Sequence, residues 1–283
     1  MEKLVIRQQG SAIIKNNEEM PYPRICAHRG FSSVAPESTM PAFGAAVALG
    51  AEEIEMDLWQ TKDGVIVSSH DRGLERVSNG KGDLKDFTYE ELLQLDFGGK
   101  FGAEFHGMKI ASFEEILQKF AGHVIMNLHL RHEDQDVEFL EGYIKRLVAL
   151  IEKYDNKKYC YFMSSYITTL ALLQRIAPDI ERCAGEEDDR PADYLLEKAV
   201  KTGCTKIQLF TPFFDRYEEE LKQDYVSYIV KKAHASGVIC NLCIADEPEL
   251  TIQYLTKGVD TLLTNRAQIT KMTRDEFLKN QQK

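Results

Sequence analysis

One unit recurs along this chain: a helix-forming segment, then a glycine, then a short β-rich run. Gly50 precedes Ala51–Asp57, Gly203 precedes Cys204–Phe210, Gly237 precedes Val238–Ile244 and Gly258 precedes Val259–Thr264. Glycine is favoured just past a helix end because it accepts a positive φ. Repeated helix–glycine–strand units imply parallel strands joined by crossover helices. Eight strands are predicted, at about 24–28, 52–58, 123–128, 158–163, 180–184, 204–210, 238–244 and 260–264. Eight βα units in roughly 250 residues is the number that closes a barrel. The predicted fold is α/β, a TIM (β/α)8 barrel over 24–270, in one domain of 283 residues. A small inserted subdomain is expected at 72–110 and an N-terminal extension at 1–20, placed to plug the bottom of the barrel.

The run Val65–Ser69 lies outside this rhythm. It follows Glu55–Trp59 after a connection too short for a parallel crossover, so it returns antiparallel as a hairpin arm. Asp63-Gly64 is a favoured pair for a two-residue type I′ turn. Such a turn would make Asp57 the direct cross-strand neighbour of His70. Residues 72–110 carry one short helix, Tyr89–Leu95, opened by the capping box Thr88…Glu91. A second box, Ser112…Glu115, opens the helix before the third barrel strand. Phe87, Phe97, Phe101 and Phe105 are too many aromatics for a solvated excursion, so the insert reads as a lid or substrate wall.

The balance of 35 Lys+Arg against 45 Asp+Glu gives a net charge of −10. No basic cluster marks a nucleic-acid face, and the acidity disfavours an anionic membrane. No stretch reaches the roughly 18 to 20 apolar residues that span a bilayer. Met1–Glu19 lacks the apolar core of a signal peptide, so a soluble cytoplasmic protein is expected. The six cysteines mostly fall in predicted strands as small hydrophobes. Cys240-x-x-Cys243 places its thiols on opposite strand faces, which argues against a metal or redox pair.

The chemistry concentrates near the N-terminus, in Ala27-His28-Arg29-Gly30, Glu55-Met56-Asp57 and Ser69-His70-Asp71. His28 and Arg29 end the first strand; Glu55 and Asp57 end the second and face one way. Two adjacent carboxylates demand a compensating cation, and hard oxygen ligands fit Mg²⁺ or Ca²⁺. Such an ion suits phosphodiester cleavage, with Arg29 clamping the phosphate. His28 and His70 suit general acid and base, in an order the sequence leaves open. The remaining histidines carry less: His123 reads as an exposed strand start, His132 as solvated and His234 as a helix-end cation. His106, in the insert, is a lesser candidate for lining a pocket.

These residues resemble the glycerophosphodiester phosphodiesterase family. The match runs through His28-Arg29-Gly30, Pro36-Glu37-Ser38-Thr39, Glu55-x-Asp57, Thr61-x-Asp63-Gly64 and His70-Asp71. It continues through Leu74-x-Arg76-Val77, Gly99-x-Phe101 and Ile110-Ala111-Ser112-Phe113-Glu114-Glu115. The resemblance implies catalysis by His28 and His70, phosphate contact by Arg29, and a divalent metal on Glu55 and Asp57. It also implies release of glycerol phosphate from a deacylated phospholipid. The C-terminal half departs from the pattern. Where the family has Glu-x-Lys on the third barrel strand, this chain is read as Asn127-Leu128-His129. Asn127 is then the third metal ligand, through its amide oxygen, and His129 stands beside the phosphate. The family's seventh-strand Trp is read at Leu242, and Thr-Asp-Arg-Pro as Thr264-Asn265-Arg266-Ala267.

The leading expectation is a metal-dependent hydrolase of small glycerophosphodiesters, with no nucleic-acid partner and no stable membrane insertion. The alternatives are a phosphodiesterase of altered headgroup preference, such as a lysophospholipase D-like activity, and a barrel that binds a phosphorylated ligand without turnover. The sequence leaves the oligomeric state open.

Overall fold

Two strands from opposite ends of the chain, β1 (Arg24–Ala27) and β9 (Thr261–Thr264), pair in parallel and close the sheet. The computed structural model describes residues 14–132, 136–187 and 190–282. The other strands are β2 (Glu53–Gln60), β3 (Ile66–Ser68), β4 (Ile125–Leu130), β5 (Cys160–Ser164), β6 (Glu181–Gly185), β7 (Lys206–Phe210) and β8 (Ile239–Cys243). The order is β1-β9-β8-β7-β6-β5-β4-β2, and β1 also pairs with β2. Eight parallel strands therefore form a closed barrel, as predicted, with β3 added antiparallel to the end of β2.

Alternation along β2 explains the layering. Ile54, Met56 and Leu58 point outward into the core between strands and helices. Glu53, Glu55 and Asp57 belong to the opposite face, inside the barrel. The same outward set includes Leu128, Phe162, Ile207, Leu242 and Leu262. Burying one such side chain contributes ~1.5–3 kcal/mol. Cys240 joins this outer core while Cys243 packs inside against Cys26 and Leu263, so the two thiols do face apart.

The barrel floor is a buried polar cluster. Arg24 Nη1 donates to Glu53 Oε1 at 2.9 Å and to Asn17 Oδ1 at 2.6 Å. Tyr161 donates to the other Glu53 oxygen at 2.7 Å. Ile14 and Met20 pack against Ile125 and Tyr161, so residues 14–20 cover the floor. Residues 1–13 of the expected extension lie outside the described residues.

The hairpin differs from expectation by one residue. Leu58 pairs with Ser68 and Gln60 with Ile66, so Asp57 faces Ser69, whose N–H donates to the Asp57 carbonyl at 3.0 Å. The loop holds three residues, Lys62-Asp63-Gly64. Gly64 N–H closes a turn on the Thr61 carbonyl at 3.0 Å, with Gly64 at φ 85°. That is the three-residue hairpin, with glycine in the left-handed position, and it moves His70 one place along.

The insert has its own small core of Val67, Leu74, Leu84, Leu92, Phe97 and Ile110. Its helix ends earlier than predicted, at Tyr89–Leu92, behind a complete Thr88–Glu91 capping box. Ser112 and Glu115 form the second box.

Candidate active site

The turn after β1 is built to present two groups. Arg29 has φ 57°, and its N–H donates to Glu55 Oε2 at 3.0 Å. Gly30 follows at φ 80°, where an added Cβ would lie 2.6 Å from the Ala42 carbonyl carbon; only glycine fits. Arg29 Nη1 donates to Glu37 Oε1 at 3.0 Å, and its Nε lies 3.8 Å from Asp57 Oδ2.

His28 is held from behind. Its Nδ1 lies 2.8 Å from Asn265 Oδ1. Asn265 is oriented in turn by Asp246, whose carboxylate accepts from Asn265 Nδ2 at 2.8 Å and Asn265 N–H at 2.7 Å. A carboxylate only accepts, so the amide oxygen must face His28. His28 Nδ1 therefore carries the proton, and Nε2, 3.9 Å from Glu55 Oε2, presents a lone pair. Burial, then the Arg29 charge, lowers this imidazole to about 4.

His70 sits differently. Its Nδ1 lies 2.6 Å from Asp71 Oδ1. Arg76 ties Asp71 to Glu37, donating to the Glu37 oxygens at 2.7 and 2.8 Å. Glu37 thus joins the loop of Arg29 to the insert that carries Arg76.

Glu55, Asp57 and His129 are all buried, and their ligand atoms lie within 4.8 Å of one another. His129 Nδ1 is 3.1 Å from Asp57 Oδ1, which also accepts from Arg131 Nε at 2.7 Å. Asp57 Oδ2 is buried with no hydrogen-bond partner. Burial would raise Asp57, but His129 and Arg131 outweigh it and hold it well below the usual carboxylate range. Glu55 takes the proton instead, pushed up to about 8 by burial and by Asp57. Burial, then Arg131, keeps His129 neutral, at about 4. Two buried carboxylates, one unpartnered oxygen and a neutral imidazole fit a divalent cation.

Of the residues singled out from sequence, His28, Arg29, Glu55, Asp57 and His129 converge here. Asn127 lies two residues, roughly 6.6 Å, further down β4. It pairs in register with Glu55, but its Nδ2 donates to Gln208 Oε1 at 3.0 Å across the barrel. Its Oδ1 is buried without a partner. Leu242 belongs to the outer core; Cys243 is the neighbour that faces inward. His132 is buried, not solvated, bonded to Thr169 at 2.9 Å and tilted against Tyr166. His106 is exposed and pairs with Asp96 within the insert. Asp246 and Arg131 went unnoticed in the sequence. Each is a charged residue one to three places past a predicted strand end, a signal available without a structure.

A family model described as the glycerophosphoryl diester phosphodiesterase family matches residues 28–269. The chain belongs to this family. It is 30% identical over 253 residues to a glycerophosphodiester phosphodiesterase of Caldanaerobacter subterraneus subsp. tengcongensis, covering 83% of this chain and 98% of that one. It is 35% identical over 160 residues to the Bacillus altitudinis enzyme of the same name, covering 56% and 64%. An Oleispira antarctica phosphodiesterase, solved with the product sn-glycerol-3-phosphate, has the same fold, with a TM-score of 0.79 at 23% identity over 90% of this chain and 97% of that one. By family this phosphodiesterase chain is a phosphoric diester hydrolase. Among the described residues, no helix is long and apolar enough to cross a membrane.

Proposed function

We propose that this phosphodiesterase hydrolyses small glycerophosphodiesters to glycerol 3-phosphate and an alcohol, using a divalent cation and the two histidines. The observation that carries this reading is the placing of His28, Arg29, Glu55 and Asp57 at one barrel mouth, with His70 lining a cleft beside Glu37, the anchor of Arg29. The curated relatives' names and the product bound to the Oleispira enzyme support the substrate class.

Glu55, Asp57 and His129 would hold the cation, with Asn127 Oδ1 as a further oxygen from below. Bound there, it would neutralise charge on the phosphoryl oxygens. The Glu-x-Lys of the family pattern then falls on His129-Leu130-Arg131, two residues later than the sequence reading placed it. Arg29, anchored by Glu37, clamps a phosphoryl oxygen. His28, neutral and with its lone pair at Nε2, takes the proton from the attacking hydroxyl. His70, held by Asp71 through Nδ1, donates a proton to the leaving alkoxide. The attacking hydroxyl is that of water, or of the glycerol moiety by way of a cyclic phosphate.

The test is release of glycerol 3-phosphate by the chelator-treated and metal-replete protein, beside His28→Ala. Metal-dependent release absent from the variant is expected. A protein that binds glycerol phosphate but turns over no diester would be the non-catalytic barrel instead.

A further inference from the structure

We infer that the cation site is tuned to a first-row transition ion of the Mn²⁺ or Zn²⁺ class and not to Mg²⁺ or Ca²⁺. This rests on the reading of Glu55, Asp57 and His129 as a metal site and concerns what that site selects. The expectation of Mg²⁺ or Ca²⁺ assumed oxygen donors throughout. The structure places an imidazole in the donor set, with its ligand atom within 4.8 Å of both carboxylates.

Three features point the same way. Mg²⁺ and Ca²⁺ take oxygen ligands, whereas imidazole suits Zn²⁺ and its transition-metal neighbours; Mn²⁺, which shares the carboxylate preference of Mg²⁺ and binds most weakly in the first-row series, is the strictest probe of a nitrogen donor. The set is also poor in charge. His129 brings none, and Asp57 is shared with Arg131 at 2.7 Å and faced by Arg29 at 3.8 Å. Hard ions are held mainly by charge, so these guanidinium groups weaken them most; a nitrogen donor gives its ion an attraction that they do not cancel. Finally, His129 is fixed. It is 7% exposed, and its Nδ1 lies 3.1 Å from Asp57 Oδ1, so the ring is held against the carboxylate with which it would share the ion.

The experiment uses the full chain stripped of metal, with Mn²⁺ as the probe. Mn²⁺ is chosen because a second group, His234, Cys240 and Asp260, contains a thiol that would attract softer ions. Affinities for Mn²⁺, Mg²⁺ and Ca²⁺ are measured by calorimetry for the natural protein, His129→Glu and His129→Gln. Nitrogen coupling to bound Mn²⁺ is read by electron spin echo envelope modulation. Mn²⁺ is expected to bind more tightly than Mg²⁺, with nitrogen coupling present. In His129→Glu that preference should shrink at least tenfold, and in both variants the coupling should vanish. An unchanged preference in His129→Glu, or coupling retained without His129, overturns the inference. If no divalent ion binds the natural protein, the metal site itself is wrong and the proposed function falls with it. Melting curves of both variants separate loss of ligation from loss of fold.

Discussion

Asn265 Oδ1 lies 2.8 Å from His28 Nδ1, and Asp246 fixes the Asn265 amide so that its oxygen faces the ring. This relay sets the tautomer of a histidine at the barrel mouth from two loops at the far end of the chain. It uses an amide where the family pattern has a carboxylate, so His28 is oriented without a charge to stabilise its protonated form.

Replacing Asn265 by Asp should therefore raise the proton affinity of His28. A general base works only when unprotonated, so activity is lost as pH falls through its pKa. For the natural protein that limb is expected near 4, where burial and the Arg29 charge hold the His28 imidazole. In Asn265→Asp the acid limb of kcat/KM should move to higher pH, while Asn265→Leu should lower kcat about tenfold or more with little change in KM. A limb that stays in place in Asn265→Asp would remove Asn265 from the mechanism.

His28→Ala and His70→Ala should each reduce turnover by at least ~10²-fold, the usual worth of a general acid or base. Both side chains line the mouth and leave the outer core untouched, so melting temperatures should change little. Full activity in either variant would exclude that residue from proton transfer.

The barrel, and the place of His28 at the end of its first strand, were legible because their signals are local. A glycine between helix and strand, as at Gly50, Gly203, Gly237 and Gly258, and a His-Arg-Gly at a strand end need no partner in order to be read. The sequence reading put Asn127 with Glu55 and Asp57, whereas the structure groups His129 with them, and the difference has a physical cause. Asn127 and His129 are two apart and point inward together, so alternation cannot separate them. Only depth in the barrel does, and depth depends on the register of β4 against β2. The hairpin failed for a similar reason. Asp63-Gly64 serves a two-residue or a three-residue loop equally well, and one residue moves every cross-strand neighbour. The Asn265–Asp246 relay joins β9 to the loop after β8, and no spacing along the chain announces such a contact.

Metal binding should release a proton near neutral pH. Glu55 is held protonated up to about 8 in the metal-free protein and must lose that proton to ligate. Calorimetry in buffers of different ionisation enthalpy should show about one proton released per ion at pH 7. Affinity should tighten as pH rises towards 8 and then level off. A buffer-independent enthalpy at pH 7 would show that Glu55 is already ionised.

Glu186 offers a test of stability away from the site. It is buried, accepts from Tyr225 at 2.5 Å, and is pushed up to about 8 by burial. Its folded value lies above its unfolded one. The stability it contributes is therefore full below about 4.5 and is lost as pH rises through 8. In Glu186→Gln the decline in unfolding free energy between pH 5 and 8 should be smaller by roughly 2–4 kcal/mol. Gln keeps an acceptor for Phe210 N–H and a donor for Tyr225. Parallel pH profiles for the two proteins would mean that Glu186 is ionised in the fold.

The most direct measurement is glycerol 3-phosphate release from a panel of glycerophosphodiesters, with and without chelator, beside His28→Ala. The account predicts release that chelator abolishes, that added divalent ion restores and that His28→Ala lacks. Release unaffected by both chelator and the variant, or none with any ion, would contradict it.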